Sequence, residues 1–291
     1  MLARRAIGQR PDEELGHVLR ALADVLDPAG ATLTAPQEEA MSTLEAHAVV
    51  QGGGLGMLTG AHGSGKSLVV ARLASAFVQA GAAVAIVETG LLEFEDLLLE
   101  LTGQLAGERP RASAAPRLYD RLALFKSALL ECVIRQGRRL VVFFDDADSM
   151  SAECLAQVAA LANLRSAGSE HVMPVLVGTG ALRLSVSSVA SAASRIGTVA
   201  ELRLLAPDEA SGYLSQRLAA GGVDTASTFE PQAIAQLHAA GLRTPRRIDS
   251  ACRAAARRAF AAGRRVSTGD LTEAAASLPD ASIDRGLVFG R

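Results

Sequence analysis

The chain has 291 residues, a formal net charge of −2 and 49% apolar residues. This balance excludes a disordered protein and argues against one coated in nucleic acid, although a local basic patch could still bind one. Aromatic residues make up only 3% and tryptophan is absent, so the core is predicted to consist mainly of Leu, Val, Ala and Ile.

The three cysteines, Cys132, Cys154 and Cys252, show neither metal-like nor disulfide-like spacing. Each falls in a helical pattern, so we expect small buried hydrophobic side chains in a reducing compartment. No apolar run reaches the roughly 18 residues that cross a bilayer, and residues 1–20 carry charges where a signal peptide is apolar. The sequence therefore predicts a cytoplasmic location and no integral membrane segment.

The chain is predicted to begin with two helices. In residues 1–34, apolar side chains follow one helical stripe, ended by Asp27-Pro28-Ala29-Gly30. The stripe consists of Leu15, Val18, Leu19, Leu22 and Leu26. A second helix, near Ala35–Val50, is predicted to stop at Gly52-Gly53-Gly54 and to lead into the first strand.

Residues 60–67 fit the G-x-x-x-x-G-K-[ST] phosphate-binding loop. Their sequence is Gly60-Ala61-His62-Gly63-Ser64-Gly65-Lys66-Ser67. A short apolar stretch precedes the loop and an amphipathic helix, Ser67–Gln79, follows it, which is the order of strand, loop and helix that this motif requires. A Gly/Ser linker is the alternative.

Each residue type in this loop has a separate role. Gly60, Gly63 and Gly65 can take positive φ, so the loop, Ser64 included, brings backbone N–H groups around a polyphosphate. Lys66 would reach the β- and γ-phosphates of ATP, and the Ser67 hydroxyl would bind Mg²⁺. The N-terminus of the following helix attracts the same anion.

A strand (Ala82–Val87), a helix (Leu91–Leu105), a surface loop (Gly107–Pro116) and a further helix (Arg117–Gln136) are predicted next. The run from Arg138 to Asp146 then indicates a strand buried on both faces that ends in two acids.

Those two acids complete the predicted nucleotide site. Ligands of open α/β sheets bind at the carboxyl ends of the strands. We therefore expect Asp145 to hold Mg²⁺ and Asp146 to orient or deprotonate the attacking water. A solvated turn is the alternative for an isolated pair of aspartates.

Asp148 or Ser151 is predicted to cap a helix, Ala152–Leu164. Two more strands follow, Met173–Gly178, which ends at Thr179, and Val199–Leu204. Beyond a boundary at Ala206-Pro207-Asp208 we expect only helices. These are Asp208–Ala219, Pro231–Ala239, Pro245–Ala262 and Thr268–Leu278.

The order of these signals resembles the AAA+ ATPases, most closely the ExeA/GspA-type group, which includes transposition target-capture ATPases, and also origin-recognition ATPases. The similarity covers residues 33–278. It is carried by the phosphate loop and three further stretches: Phe144-Asp145-Asp146-Ala147, Val175-Leu176-Val177-Gly178-Thr179-Gly180-Ala181-Leu182, and Gly241-Leu242-Arg243-Thr244-Pro245-Arg246-Arg247-Ile248-Asp249. The last is similar to the family's G-x-P-R-R-I-N motif.

The resemblance implies an α/β fold: a P-loop AAA+ core with a parallel β-sheet flanked by helices, followed by a small all-helical lid domain. The implied domains are an N-terminal helical segment (1–34), the core (35–206), the lid (207–280) and a C-terminal tail (281–291).

The resemblance also implies further site residues. Thr179 occupies the sensor 1 position and Arg246 the sensor 2 position. Arg195, in a segment similar to the family's Q-R-I, becomes a finger that completes the ATP site of a neighbouring subunit, which implies a ring or filament. The alternatives are a helix cap for Thr179, a solvated charge for Arg195, and an ion pair with Asp249 or Glu88 for Arg246.

One departure from the family concerns hydrolysis. The family usually has Asp-Glu where this chain has Asp145-Asp146, and the shorter side chain loses about 1.5 Å of reach. We therefore expect slow hydrolysis, with a nonhydrolysing switch as an alternative.

Three functions remain open. The arginines between Arg243 and Arg265 favour an ATPase that assembles on double-stranded DNA, although a solvated lid helix explains most of them. The ExeA/GspA resemblance favours a secretion or envelope-assembly ATPase with a protein activator. The short Asp146 favours a nonhydrolysing ATP-gated interaction switch.

Overall fold

The computed structural model describes residues 11–23, 31–50, 54–90, 92–108, 110–111, 115, 117–166 and 169–279. Some predicted features lie outside these residues: the helix end at 27–30, Gly52 and Gly53, residues 109, 112–114 and 116 of the surface loop predicted over Gly107–Pro116, and the tail 281–291. The chain divides into two compact units. The sheet unit comprises Pro36–Ala61 and Gly65–Arg203, and the helical unit comprises Met1–Ala35, His62–Ser64 and Leu204–Arg291.

The sheet unit is built on five parallel strands, β1 Leu55–Gly60, β2 Ala83–Glu88, β3 Leu140–Asp145, β6 Val172–Gly178 and β7 Ile196–Leu202. Their order in the sheet is β2-β3-β6-β1-β7. A two-stranded hairpin stands apart from this sheet, with β4 Arg165–Ser166 and β5 Ser169–Glu170. The predicted α/β fold with a parallel sheet and a helical C-terminal region is confirmed.

Helices cover both faces of the sheet. They are α2 Ala35–Val50, α3 Lys66–Gln79, α4 Phe94–Ala106, α5 Leu118–Cys132, α6 Ala152–Leu161, α7 Ala181–Ser188 and α8 Ala190–Ala193. Short 3-10 turns lie at Ile134–Gln136 and Ala147–Ser149. Three predicted bounds differ by more than one residue: the helix predicted from Leu91 begins at Phe94, the helix predicted to Gln136 ends at Cys132, and the helix predicted to Leu164 ends at Leu161, before the hairpin. The helices α7 and α8 were not predicted.

Successive residues of β3 point into opposite layers, as a strand's period of two requires. Val142 and Phe144 are buried in the same cluster as α4, α5 and α6. Val141 and Phe143 are buried with α2 and α3, and Phe143 stacks on Phe77 with ring centroids 6.3 Å apart. The prediction that the acidic strand is buried on both faces is therefore confirmed.

The last strand, β7, begins at Ile196 and ends at Leu202, whereas the sequence predicted Val199–Leu204. Its pairing with β1 contains a register shift, because Leu55 faces Ile196 while Gly56 faces Thr198. An extra residue in the strand breaks the alternation of apolar and polar side chains from which strand bounds are read.

The helical unit packs its helices around a separate core. Its helices are α1 Pro11–Ala21, α9 Pro207–Ala220, α10 Thr225–Thr228, α11 Pro231–Ala235, α12 Pro245–Ala261 and α13 Thr268–Ser277. α1 and the turn that follows it contribute the buried side chains Val18, Ala21 and Leu22, which join α9 and α12 in one apolar cluster. The helix predicted over Pro231–Ala239 ends at Ala235, and the short α10 was not predicted.

Two of the three thiols are enclosed, one in each unit. Cys154 of α6 is 2% exposed, and burial is the largest cause that raises its pKa to about 11. Cys252 of α12 is fully buried, and burial also raises the pKa of its thiol, with the charge of Asp249 as a smaller cause. Both thiols therefore stay protonated at neutral pH. Cys132 is half-buried.

Candidate nucleotide site

The loop of residues 60–67 connects the end of β1 to the start of α3, as predicted. Gly63 and Gly65 have φ of 75° and 96°, values that glycine adopts without steric cost. Gly60 differs from the prediction, because it is the last residue of β1 and does not take positive φ. The tight curl of the loop therefore depends on the second and third glycines.

Neither of these two glycines has room for a side chain. A Cβ atom at Gly65 would lie 2.2 Å from Nε2 of Gln37, a side chain of α2 that is only 2% exposed. Gly63 belongs to the helical unit, where its carbonyl accepts from the Arg246 N–H at 3.2 Å and an added Cβ would lie 2.5 Å from the Cβ of Arg246. Glycine is therefore required at both positions by the close contacts with Gln37 and Arg246 as well as by the backbone conformation. Sequence reasoning missed Gln37.

Two residues at the start of α3 carry the charge and the hydroxyl of the motif. The Lys66 ammonium donates to the carbonyls of Gly60 at 2.9 Å and Ala61 at 3.3 Å, within its own loop. Ser67 is exposed in the first turn of α3, and Ser64 is buried. Lys66 is therefore held at the loop whose phosphate it is predicted to bind.

Strand order brings three predicted site residues to one edge of the sheet. β6 lies between β1 and β3, and all three run parallel. The carboxyl end of β1 leads into the phosphate loop, the carboxyl end of β6 leads into Thr179, and β3 ends at Asp145. This is the edge at which ligands of open α/β sheets bind.

Asp145 is the half-buried last residue of β3. Burial is the largest cause that raises its pKa, while the hydrogen bond from the Asp146 N–H at 3.0 Å and the charge of Lys66 act against the rise. A carboxylate that is partly buried and has few hydrogen bonds is suited to a cation, because a bound cation would compensate for the lost hydration.

Asp146 has left-handed backbone geometry, with φ 55° and ψ 37°. Among the residues that the structure describes, it is the only non-glycine residue with positive φ. The Thr89 hydroxyl, just after β2, shares its one proton between the carbonyls of Asp145 at 2.8 Å and Asp146 at 2.9 Å. The Ser149 hydroxyl lies 2.5 Å from the Gly90 carbonyl oxygen and 2.9 Å from that of Asp146. Two neighbouring side chains thus hold the turn, and sequence reasoning identified neither.

The N–H and the hydroxyl of Thr179 make three hydrogen bonds at the end of β6. Its N–H donates to Oδ2 of Asp148 at 2.7 Å, and its hydroxyl donates to Oδ1 of the same side chain at 3.0 Å. The hydroxyl also accepts from the Ala181 N–H at 3.2 Å, so Thr179 caps the start of α7 as well. Ser151, not Asp148, caps α6 by accepting from the Cys154 N–H at 3.1 Å.

Arg195 precedes β7 and is half-buried. Its guanidinium donates to the Ser191 carbonyl, and Nε and one terminal nitrogen lie 3.0 Å from the Asn163 amide oxygen when that amide is turned toward them. The side chain therefore has polar contacts within its own chain.

The arginines of the helical unit fall into two groups. Several of them have partners within the unit: Arg258 pairs with Glu273 at 3.3 Å, Arg264 pairs with Asp270, Arg247 donates to the Pro279 carbonyl at 2.6 Å, Arg265 donates to the Ala226 carbonyl at 3.2 Å, and Arg217 donates to the Ala23 carbonyl. Arg246, Arg253 and Arg257 are spaced seven and four residues apart on α12, so they share one face of the helix.

No group of three or more His, Cys, Asp or Glu side chains that could hold a metal occurs in the part of the chain that the structure describes. A site for Mg²⁺ that uses one or two protein ligands and substrate phosphates fits Asp145 and Ser67 better than an all-protein cage. Within the described residues, no helix is both long and apolar enough to cross a membrane.

Comparison with known proteins gives two matches in sequence. Residues 47–184 match the family described as AAA domain. The chain is also 28% identical over 240 residues to General secretion pathway protein A of Aeromonas hydrophila, and the match covers 81% of this chain and 43% of that protein. The chain thus spans less than half the length of this relative.

Solved structures share the fold at low identity. The Aeropyrum pernix ORC2 protein, in its ADPNP-ADP complexes, has a TM-score of 0.65 at 21% identity and covers 89% of this chain and 71% of its own. Drosophila ORC bound to DNA has a TM-score of 0.66 at 17% identity, with 94% and 68% covered. The resemblance inferred from sequence motifs is confirmed: residues 47–184 match the AAA domain, the sequence is similar to General secretion pathway protein A, and the fold is similar to that of the ORC structures.

Proposed function

We propose that this protein binds ATP and couples ATP binding and slow hydrolysis to assembly with a partner. The observation that carries the proposal is the shared edge of β1, β6 and β3, which leads into the phosphate loop, Thr179 and Asp145. A phosphate loop, an acidic strand end and a polar side chain on the strand between them are the parts that phosphoryl transfer to water requires.

The residues of the loop hold the nucleotide in this proposal. Backbone N–H groups of residues 60–65 surround the phosphates, and Lys66 leaves its own carbonyl partners to bind the β- and γ-phosphates. Ser67 and Asp145 hold Mg²⁺, which neutralises charge on the phosphates when bound. Arg246, as sensor 2, reports the state of the nucleotide to the helical unit.

Water is activated by the residues that follow β3 and β6. Asp146 accepts a proton from the attacking water or orients it, and Thr179 contacts the same water. The Asp146 side chain is one methylene shorter than the usual glutamate, which supports slow turnover that a partner accelerates. Arg195 would act on the ATP of a neighbouring copy, so the complete site would require a homo-oligomer.

Double-stranded DNA is the first candidate partner. Arg253 and Arg257, four residues apart on α12, provide positive charges on one face of the helix. The structural neighbour from Drosophila is bound to DNA, which supports testing DNA before other partners. The second candidate is a protein of secretion or envelope assembly, favoured by the match to General secretion pathway protein A.

The proposal is tested by steady-state phosphate release from ATP by the purified protein at low salt, with and without double-stranded DNA. Lys66→Ala serves as the inactive reference. Release that rises with DNA and disappears in the variant supports the DNA-associated ATPase. Release indifferent to DNA favours a protein activator, whereas ATP binding without release contradicts the enzyme and favours an ATP-gated switch.

A further inference from the structure

The turn after β3 and the end of β6 are joined by one side chain. Asp148 lies two residues after Asp146 and accepts from both polar hydrogens of Thr179, the N–H at 2.7 Å and the hydroxyl at 3.0 Å. Thr179 is 8% exposed and Asp148 is half-buried, so water competes little for these bonds. The two bonds span 31 residues of sequence.

The backbone of β6 makes room for this carboxylate. A Cβ atom at Gly178 would lie 2.6 Å from Oδ2 of Asp148, closer than two such atoms can approach. Gly178 does not have positive φ, so its backbone conformation does not require glycine. Glycine is required here by the position of Asp148, because any side chain at residue 178 would displace the Asp148 carboxylate.

The hydrogen-bonding capacity of the Thr179 hydroxyl is limited. A hydroxyl has one proton to donate and two lone pairs that accept. In this structure the proton is directed to Asp148 and one lone pair accepts from the Ala181 N–H. What remains is a single acceptor. Thr179 can therefore bind a hydrogen of water, but it has no proton left to donate to a phosphate oxygen.

We propose that Asp148 is a positioning residue that fixes the direction of the Thr179 hydroxyl, so that Thr179 orients the attacking water by accepting from it. This inference rests on the proposed ATP hydrolysis, and it assigns the Thr179 hydroxyl to the attacking water and not to a phosphate oxygen. The contact also links Asp146 to Thr179, the two residues proposed to contact the water, because Asp148 bonds to Thr179 and lies in the same turn as Asp146.

An asparagine at position 148 reverses the polarity of this contact. Its single amide oxygen can accept from the Thr179 N–H, and its NH₂ group then faces the hydroxyl oxygen, which must accept instead of donate. We expect Asp148→Asn to lower the rate constant of phosphate release about tenfold while the affinity for nucleotide changes less than about twofold. Thr179→Val should lose a similar factor, and Thr179→Ser should retain most of the rate.

The double variant Asp148→Asn/Thr179→Val separates positioning from independent effects. If Asp148 acts through Thr179, the double variant releases phosphate no more slowly than Thr179→Val alone. The matched control is Glu153→Gln, which removes a nearby charge on α6 and should leave the rate unchanged. Multiplicative losses in the double variant, or a wild-type rate in Asp148→Asn, would overturn the proposal.

A measurement without ATP distinguishes this inference from the proposed function. In the nucleotide-free protein, the amide proton of Thr179 should resonate downfield because it binds a carboxylate, and Asp148→Asn should move it upfield. An amide proton that does not respond to Asp148→Asn overturns the contact, whatever the rates. A protein with the expected resonance but no phosphate release in any form contradicts the proposed hydrolysis, and with it the role of Thr179.

Discussion

The ammonium nitrogen of Lys66 lies 2.9 Å from the carbonyl oxygen of Gly60, inside the loop that it is predicted to serve. Bound phosphates must compete with the loop carbonyls for the Lys66 ammonium, whose positive charge stabilises the bound phosphates. We expect Lys66→Ala to lower the affinity for ATP at least about a hundredfold, while the temperature of unfolding changes little because the lysine is not a core residue.

The sequence offers a matched control for that variant, since Lys126 is its only other lysine. Lys126 lies exposed on α5, and Lys126→Ala should bind ATP as the wild type does. Titration with a fluorescent ATP analogue measures both affinities. Normal ATP affinity in Lys66→Ala would contradict the assignment of residues 60–67 as the nucleotide site.

The left-handed backbone of Asp146 gives a second prediction. Asparagine and aspartate tolerate this conformation better than other side chains, so Asp146→Asn keeps the turn and removes the carboxylate. We expect phosphate release to fall about a hundredfold with nucleotide affinity retained. Asp146→Glu restores the reach of the family's usual glutamate but destabilises the turn by about 1 kcal/mol. Unchanged release in Asp146→Asn would exclude Asp146 as the group that acts on water.

Arg195 provides a test of assembly. If it completes the site of a neighbouring copy, Arg195→Ala and Asp146→Asn are each inactive alone, but a mixture contains sites in which both groups are intact. We expect mixing to restore up to about a quarter of the wild-type phosphate release. Absence of any recovery, with both proteins able to associate, would show that Arg195 acts in its own chain or not at all.

The arginines Arg253 and Arg257 on α12 predict how DNA affinity responds to substitution. Arg253→Ala/Arg257→Ala should weaken binding to double-stranded DNA about tenfold at low salt. It should also lower the magnitude of the slope of log K against log salt concentration by about two. The control is Arg258→Ala, which removes an arginine that already pairs with Glu273. Fluorescence anisotropy at several salt concentrations measures both slopes. Equal effects of the two substitutions would exclude a specific role for Arg253 and Arg257.

Asp270 gives a prediction about stability and pH in the helical unit. Its carboxylate accepts from Arg264 at 2.9 Å, and from the N–H and hydroxyl of Ser267 at 2.9 Å and 2.7 Å. The bond from Arg264 is the largest cause that lowers the pKa of Asp270. Because the folded pKa lies below the unfolded one, this stabilisation is complete above about pH 4 and is lost as pH falls further.

Asp270→Asn should therefore lower the free energy of unfolding by about 2 kcal/mol near pH 7, with a difference that shrinks below about pH 4. Urea unfolding at several pH values measures it. Glu273→Gln, on the same helix, removes an exposed ion pair whose Glu273 side chain is 72% exposed, and should cost less than about 0.5 kcal/mol. A pH-independent difference for Asp270→Asn would contradict the assigned charge interaction.

The predicted parts of the site are those whose residues are close in sequence. The phosphate loop and the helix that follows it form one continuous segment, and the run that ends at Asp145 marks its own strand by its apolar residues. Both were predicted because each local pattern has few structural alternatives. The β/α order likewise predicted a parallel sheet.

The contacts that sequence reasoning missed join residues that are far apart in sequence. Thr89 reaches Asp146 across 57 residues, and Asp148 reaches Thr179 across 31. Both pairs meet only because β2, β3 and β6 are neighbours, an order that no local pattern specifies. Gln37 was read as part of a helix, and nothing in its own segment indicates that it packs on Gly65. The left-handed turn at Asp146 also depends on these partners.

The enclosed thiols of Cys154 and Cys252 have a practical consequence. Each lies in a different unit, and each reacts with a thiol reagent only when its surroundings open. The rate at which each thiol is labelled thus reports local unfolding, Cys154 in the sheet unit and Cys252 in the helical unit. Comparing their labelling rates with and without ATP would reveal which unit the nucleotide stabilises, without any engineered cysteine.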